Sequence, residues 1–139
     1  MEQLFLESKS RYSFEETVSK LNGIILEGGW KILHQHDLQE IMKKNGKDIL
    51  SVHVIELCNP AYAYRLLSDD ELRIYSNMLP CRISVYNKTD GNTYLSRLNP
   101  SMIAAQAGGV VQEVMSAAYN DAEQFIEKLK RADCNGEIC

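Results

Sequence analysis

The strongest constraint on the fold is a hairpin in the second half of the chain. Residues 82–87 and 92–98 are rich in residue types that favour strands, and the short segment between them ends in Asp90-Gly91. Asp-Gly between two such runs is typical of a tight hairpin turn, because glycine adopts the positive φ that these turns require. A hairpin pairs its strands in opposite directions, so the sequence predicts an antiparallel sheet.

Three helices alternate with three further strands in the first half of the chain. Each predicted helix begins after a residue whose side chain can accept hydrogen bonds from the free backbone N–H groups of the first turn. These capping residues are Ser13, Asp37 and Asn59. The strands are predicted at residues 4–10, 30–36 and 48–57, and a short helical or irregular connection is predicted at residues 71–78.

A long amphipathic helix follows the hairpin. Apolar residues recur there with the 3.6-residue period of a helix over about five turns. They are Val111, Val114, Ala118, Ala122, Phe125 and Leu129. We therefore expect a two-layer α+β fold, in which helices pack on one face of a mostly antiparallel sheet and a long C-terminal helix completes the domain.

Size and composition suit one globular domain. The chain has 139 residues, of which 45% are hydrophobic and 24% are charged. We expect residues 1–132 to form a single α+β domain and the polar residues 133–139 to form a mobile tail. The net charge of -4, with scattered Lys and Arg, argues against a nucleic-acid partner. No stretch approaches the roughly 18 apolar residues of a membrane span, and no signal region is present, so we expect no membrane partner and a cytoplasmic location.

The four cysteines are too sparse and too unevenly spaced for a disulfide-stapled scaffold. Cys134 and Cys139 lie in the polar tail, where the spacing of a zinc finger is absent. A metal site formed by the two tail cysteines therefore stays open as an alternative, but no known metal-binding motif supports it. The remaining pair, Cys58 and Cys81, lies beside predicted strands.

Strand alternation predicts a rim site at these two cysteines. In the third strand, Glu56 and Cys58 share a face with Val54, which we expect to be the helix-covered face. If this strand neighbours the next one in antiparallel fashion, residue 58 lies close to Cys81. The candidate site also includes Asn59 and Arg82. Arg82 is its weakest member, because alternation points it to the opposite face from Cys81.

Histidines on the second strand offer a further candidate site. His34 and His36 lie two residues apart, so they project to one face, in line with Trp30 and Ile32. This arrangement suits paired metal or haem ligands, although partly exposed polar side chains would show the same spacing. His53 lies on the opposite face of its strand from Val54, where a solvated histidine is the default interpretation.

Two motifs carry a resemblance to a known family. Cys58-Asn59-Pro60 and Leu79-Pro80-Cys81-Arg82 resemble the domain-of-unknown-function 302 family, and the likeness extends over roughly residues 4–130. The resemblance implies a two-layer α+β fold that often associates as a dimer. It implies no established reaction.

Two classes of function stay open. In the first, a homodimeric module binds a small ligand through Glu56, Asn59, Arg82 and His36. In the second, the chain is a thiol-dependent redox protein or enzyme that uses Cys58 or Cys81, or a protein that binds a metal or haem. The sequence contains no Gly-x-Ser-x-Gly, His-Glu-x-x-His or Cys-x-x-Cys motif. We therefore favour the binding module over an enzyme, and the sequence names no cofactor.

Overall fold

The computed structural model describes residues 3–131, in which five strands form one antiparallel sheet. The spatial order of the strands is β1-β5-β4-β3-β2, and every neighbouring pair is antiparallel. The predicted sheet is confirmed, although β3 begins later than residue 48. The strands are β1 (Phe5–Lys9), β2 (Lys31–Asp37), β3 (Val52–Cys58), β4 (Cys81–Asn87) and β5 (Thr93–Leu98).

The predicted helices are present with the predicted caps. Ser13 accepts a hydrogen bond from the backbone N–H of residue 16, and Asp37 accepts one from residue 40. The helices are α1 (Phe14–Glu27), α2 (Leu38–Lys44), α3 (Pro60–Leu67), α4 (Ser101–Ala107) and α5 (Gly109–Glu127), with a 3₁₀-helix at Arg73–Met78. The sequence did not predict α4. Its N-cap position is Pro100, and the side chain of Asn99 accepts a hydrogen bond from the N–H of Ser101 at 3.1 Å. Gly108, at φ +64°, separates α4 from α5.

One face of the sheet is covered by helices and carries the main hydrophobic core. The strands contribute side chains that are almost inaccessible to solvent, and α1 and α5 contribute the opposing layer. The buried residues of this core are Leu21, Ile25, Trp30, Ile55, Leu57, Ile83, Val85, Leu95, Phe125, Ile126 and Leu129. We call this side the helix-covered face, and the opposite side of the sheet the outer face.

A second, smaller core joins the helices to one another. Leu66 of α3 packs there with Ala104 of α4 and with one side of α5. The predicted apolar stripe of α5 is buried as expected, because Val111 and Val114 lie in the small core while Phe125 lies in the main core. The long helix therefore links both cores.

The sequence assigned the faces of β3 the wrong way round. It predicted Val54, Glu56 and Cys58 on the helix-covered face. Ile55 and Leu57 are instead fully buried in the main core, so alternation turns Glu56 and Cys58 to the outer face. Both sets of alternate positions contain apolar residues, and the pattern alone could not choose between them.

The two histidines of β2 also lie on the opposite face from the one predicted. Ile32 pairs with Leu57 and packs against the main core, whereas His34 pairs with Glu56. The register of β2 shifts between Ile32 and His34, which is the signature of a β-bulge. Because the bulge adds one residue, His34 and His36 turn to the outer face. The bulge therefore brings both histidines beside Glu56.

Candidate functional site

Glu56 is the centre of a charged cluster on the outer face. The sheet register places it directly between His34 on β2 and Arg82 on β4. Arg82 Nη2 donates a hydrogen bond to Glu56 Oε1 at 2.9 Å, and His36 Nε2 lies 3.2 Å from Glu56 Oε2. The structure thus brings together three of the four residues predicted to bind a ligand. We call Glu56, Arg82 and His36 the outer-face triad.

The members of the triad differ in their access to solvent. The side chain of Glu56 is only 11% exposed, whereas that of Arg82 is 65% exposed and that of His36 is 40% exposed. The hydrogen bond from His36 and the positive charge of Arg82 lower the pKa of Glu56, against the opposing effect of burial. Glu56 is therefore an ionised carboxylate whose two oxygens are both engaged.

The groups left to contact a ligand belong to Arg82 and the histidines. A guanidinium has five N–H donors, and the contact with Glu56 leaves most of those of Arg82 facing solvent. The ring of His34 stacks on that of His36, with centroids 6.3 Å apart and planes inclined by 27°. The arrangement presents fixed hydrogen-bond donors beside a flat ring surface, which suits the acidic or carbonyl group of a small molecule.

The two cysteines near the triad are free thiols in an unreactive environment. Burial raises the pKa of Cys81 to about 11, with a further contribution from Cys58, and burial also raises the pKa of Cys58. Cys81 packs against the main core, as its predicted face requires. Raised pKa values favour the protonated thiol, whereas a reactive cysteine has surroundings that lower its pKa.

Asn59 acts as the N-cap of α3. Its Oδ1 accepts hydrogen bonds from the backbone N–H of Ala61 at 3.0 Å and of Tyr62 at 3.4 Å. Pro60 occupies the first helical position, where its missing N–H costs nothing. The side-chain oxygen of Asn59 is therefore already used by the fold.

The histidines do not form part of a metal cluster in the described chain. Within residues 3–131, no three His, Cys, Asp or Glu side chains are grouped so that they could hold a metal ion. The two tail cysteines, Cys134 and Cys139, and the predicted mobile segment 133–139 lie outside the described residues.

Sequence reasoning missed an aromatic groove on the same face. An open groove of about 730 Å³ lies along β1, lined by Phe5, Glu7, Tyr86 and Ser96 among others. Tyr86 donates a hydrogen bond to Glu7 and stacks on Tyr94, with centroids 6.3 Å apart. The signal was present, because alternation from Arg82 along β4 places Tyr86 on the face of Arg82. The outer face therefore combines polar and aromatic side chains.

No helix among residues 3–131 combines the length and the apolar character that crossing a bilayer would require.

Comparisons with known proteins agree with the resemblance noted in the sequence. The family model described as "Domain of unknown function DUF302" matches residues 6–132. The fold is similar to the crystal structure of an uncharacterized conserved protein DUF302 from Bacillus stearothermophilus, with a TM-score of 0.82 and 21% sequence identity, covering 93% of this chain and 100% of that one. None of the curated proteins is significantly similar to the chain. Since the family model spans most of the sequence, the chain belongs to the DUF302 family.

Proposed function

We propose that this chain is a homodimeric module of the cytoplasm that binds a small ligand at the outer-face triad. The observation that carries the proposal is the ionised Glu56, held between Arg82 and His36, whose side chains are 65% and 40% exposed. Cys58 and Cys81 are both free thiols, which suits a reducing compartment.

Glu56 acts in this proposal as an orienting group. Both of its oxygens are engaged, so it fixes Arg82 and His36 in place and contributes little to ligand contact itself. The exposed part of the Arg82 guanidinium then contacts the ligand. A planar fork of N–H donors matches a carboxylate or a similar acidic group, so we expect a ligand that carries one.

The binding test uses thermal stabilisation of the full chain by a panel of small carboxylates, phosphates and amines. We expect a carboxylate-bearing compound to raise the melting temperature in a saturable manner, because a ligand that binds only the native state stabilises it. The variant Arg82→Met should lose this response. Arg65→Met is the matched control, since Arg65 forms an exposed ion pair with Glu113 in the helical layer.

An equal response of wild type and Arg82→Met to every compound would contradict the proposed site. Loss of the response in Arg65→Met as well would point to a general effect of charge instead.

The dimer is proposed through the β1 edge of the outer face, at the opposite end of the sheet from β2, which carries His36. The groove beside β1 contains Phe5, whose surface is 61% exposed, and the same face carries both members of the Glu7–Lys88 ion pair. A two-fold interface uses the same patch on both subunits, so it requires a surface that offers both charges and apolar contacts. The outer face meets that requirement, and a second copy would also shield the exposed aromatic side chains.

Sedimentation velocity tests the dimer. We expect a species of twice the chain mass at micromolar concentration, and dissociation when Phe5 is changed to Asp. Ile74→Asp is the control, because Ile74 is 71% exposed in the 3₁₀-helix, away from the sheet. A single species of monomer mass across micromolar concentrations rejects the dimer.

A further inference from the structure

Arginines in the described chain divide into two groups by their partners. Four of them form ion pairs with carboxylates at 2.6 to 3.1 Å. These are Arg65, Arg73, Arg82 and Arg97. The other two, Arg11 and Arg131, form no ion pair with any carboxylate of residues 3–131. Both line one cavity of about 350 Å³.

The backbone fixes the two unpaired arginines on adjacent segments. Ser10 at the end of β1 forms a β-bridge with Lys130, after the end of α5. On either side of this bridge, the N–H of Arg11 donates to the carbonyl of Leu129 at 3.0 Å and the N–H of Arg131 donates to that of Lys9 at 2.6 Å. The positions of both arginines are therefore set by hydrogen bonds that do not involve their side chains.

Polar groups line the rest of the cavity. Ser13, Asn92 and Tyr12 are among the residues that border it. The guanidinium of Arg11 lies 5.8 Å from the centroid of that ring and donates a long hydrogen bond, at 3.4 Å, to the carbonyl of Lys128. These contacts hold Arg11 in place without neutralising its charge.

Two acidic residues adjoin the cavity lining, Asp90 beside Gly91 and Glu16 beside Ser13, and both are already engaged. Asp90 accepts hydrogen bonds from the N–H of Asn92 and from the hydroxyl of Tyr94. Glu16 accepts a hydrogen bond from the Ser13 hydroxyl at 3.2 Å. Neither carboxylate forms an ion pair with Arg11 or Arg131, so the positive charge of the cavity is left without a partner among the described residues.

We propose that this cavity is a second binding site, which takes the phosphate group of a small molecule between Arg11 and Arg131. Two guanidinium groups supply two positive charges and paired N–H donors, which match a doubly charged phosphate better than a single carboxylate. The cavity is at the small end of the range for ligand sites, which suits a small phosphate compound. It lies beyond the far end of β4 from Arg82, so it is separate from the outer-face triad.

The test is an NMR titration of the ¹⁵N-labelled full chain with inorganic phosphate at low, constant ionic strength. We expect saturable shifts of the backbone amides of Tyr12, Ser13 and Asn92. Changing both Arg11 and Arg131 to Gln should weaken binding by at least about tenfold, because each change removes charge-assisted hydrogen bonds. Each single variant should weaken phosphate binding by about threefold or more. The single variants therefore still test the proposal if the double variant does not fold.

Two control variants and a second probe complete the design. Arg73→Gln, which removes a charge from an exposed ion pair, and Arg82→Met, which disables the outer-face triad, should both leave the phosphate shifts unchanged. Glycerol phosphate identifies the source of the group: tighter binding than inorganic phosphate supports a phosphorylated small molecule, and equal binding supports free phosphate. Shifts that do not saturate, or that persist in the Arg11 and Arg131 variants, overturn the proposal.

Discussion

Glu56 faces away from the helices, yet its side chain is nearly as inaccessible as the core. Arg82 and His36 on the two neighbouring strands cover it and satisfy both of its oxygens. A carboxylate in such a position is costly unless it is paired, and here each oxygen has a partner. The energetic role of Glu56 is therefore testable apart from any ligand.

Replacing Glu56 with Gln should destabilise the protein at neutral pH. The partners of Glu56 lower its pKa below its ordinary value of 4.5, so its ionised form contributes stability above that pH and the contribution disappears as the pH falls through the lowered pKa. We expect the difference in denaturation midpoint between wild type and Glu56→Gln to be largest at pH 7 and to vanish in acid. Glu113→Gln, in a more exposed ion pair, should show a smaller difference.

A difference at Glu56 that stayed constant from pH 7 into acid would show that packing, and not charge, is the source of the effect.

Cys81 should react slowly with thiol reagents in the native protein. Burial raises its pKa to about 11. At pH 8 only about one such thiol in a thousand is then ionised, and the thiolate is the reactive form. Alkylation followed by peptide mass spectrometry should show slow labelling of Cys81 that accelerates up to pH 10, and fast labelling in denaturant. A rate that levels off below pH 8 would instead support the thiol-dependent alternative.

At the scale of secondary structure elements, two substitutions at the N-cap of α3 can distinguish a structural role of Asn59 from a role in ligand binding. Asn59→Ala should cost about 1 kcal/mol of unfolding free energy, because two backbone N–H groups lose their acceptor. Asn59→Asp should keep the stability, since aspartate caps equally well. Denaturation of the three proteins measures this. If Asn59→Asp keeps its stability but loses the ligand response, Asn59 also contacts the ligand. If Asn59→Ala is as stable as wild type, the cap does not contribute to stability.

Helix α5 is anchored to the sheet by Phe125. The ring is buried against Trp30 in an edge-to-face contact with centroids 5.9 Å apart. Phe125→Ala should lower the free energy of unfolding by about 3–5 kcal/mol through the cavity that it leaves. Val110→Ala, at an exposed position on the same helix, should cost less than about 1 kcal/mol. Similar losses in the two variants would mean that the buried stripe is wrongly placed.

The elements themselves were largely predictable from the sequence. The caps at Ser13, Asp37 and Asn59 mark helix starts because they satisfy backbone donors locally. The turn at Asp90-Gly91 marks the hairpin because glycine adopts the positive φ that a tight turn requires, which is also a local effect. Short-range chemistry therefore determines where most elements begin. Helix α4 was missed, although Asn99-Pro100 at its start repeats the pattern of Asn59-Pro60 and Asn99 accepts a hydrogen bond from the N–H of Ser101.

The faces of two strands were not predictable. The side chains of β3 are apolar on both sides, so burial of Ile55 and Leu57 is decided by packing against α1 and α5. The bulge in β2 moves His34 and His36 across the sheet, and no residue in that segment signals it. The contact of His36 with Glu56 depends on this bulge.

At the scale of the whole molecule, the two faces of the sheet have different compositions. The helix-covered face holds the main core, and the outer face holds the triad and the aromatic groove. The main core therefore lies on one face of the sheet, and the proposed ligand site lies on the other. Variants on the outer face can therefore change binding or association while the main core stays intact.

Native mass spectrometry of the protein as purified tests the central claim most directly, because one spectrum reports both the subunit number and any bound small molecule. We expect a dimer that carries a small acidic molecule, and we expect a smaller fraction of Arg82→Met than of Arg65→Met to carry it. A monomer without any bound molecule, or a bound molecule that both variants retain equally, would contradict it.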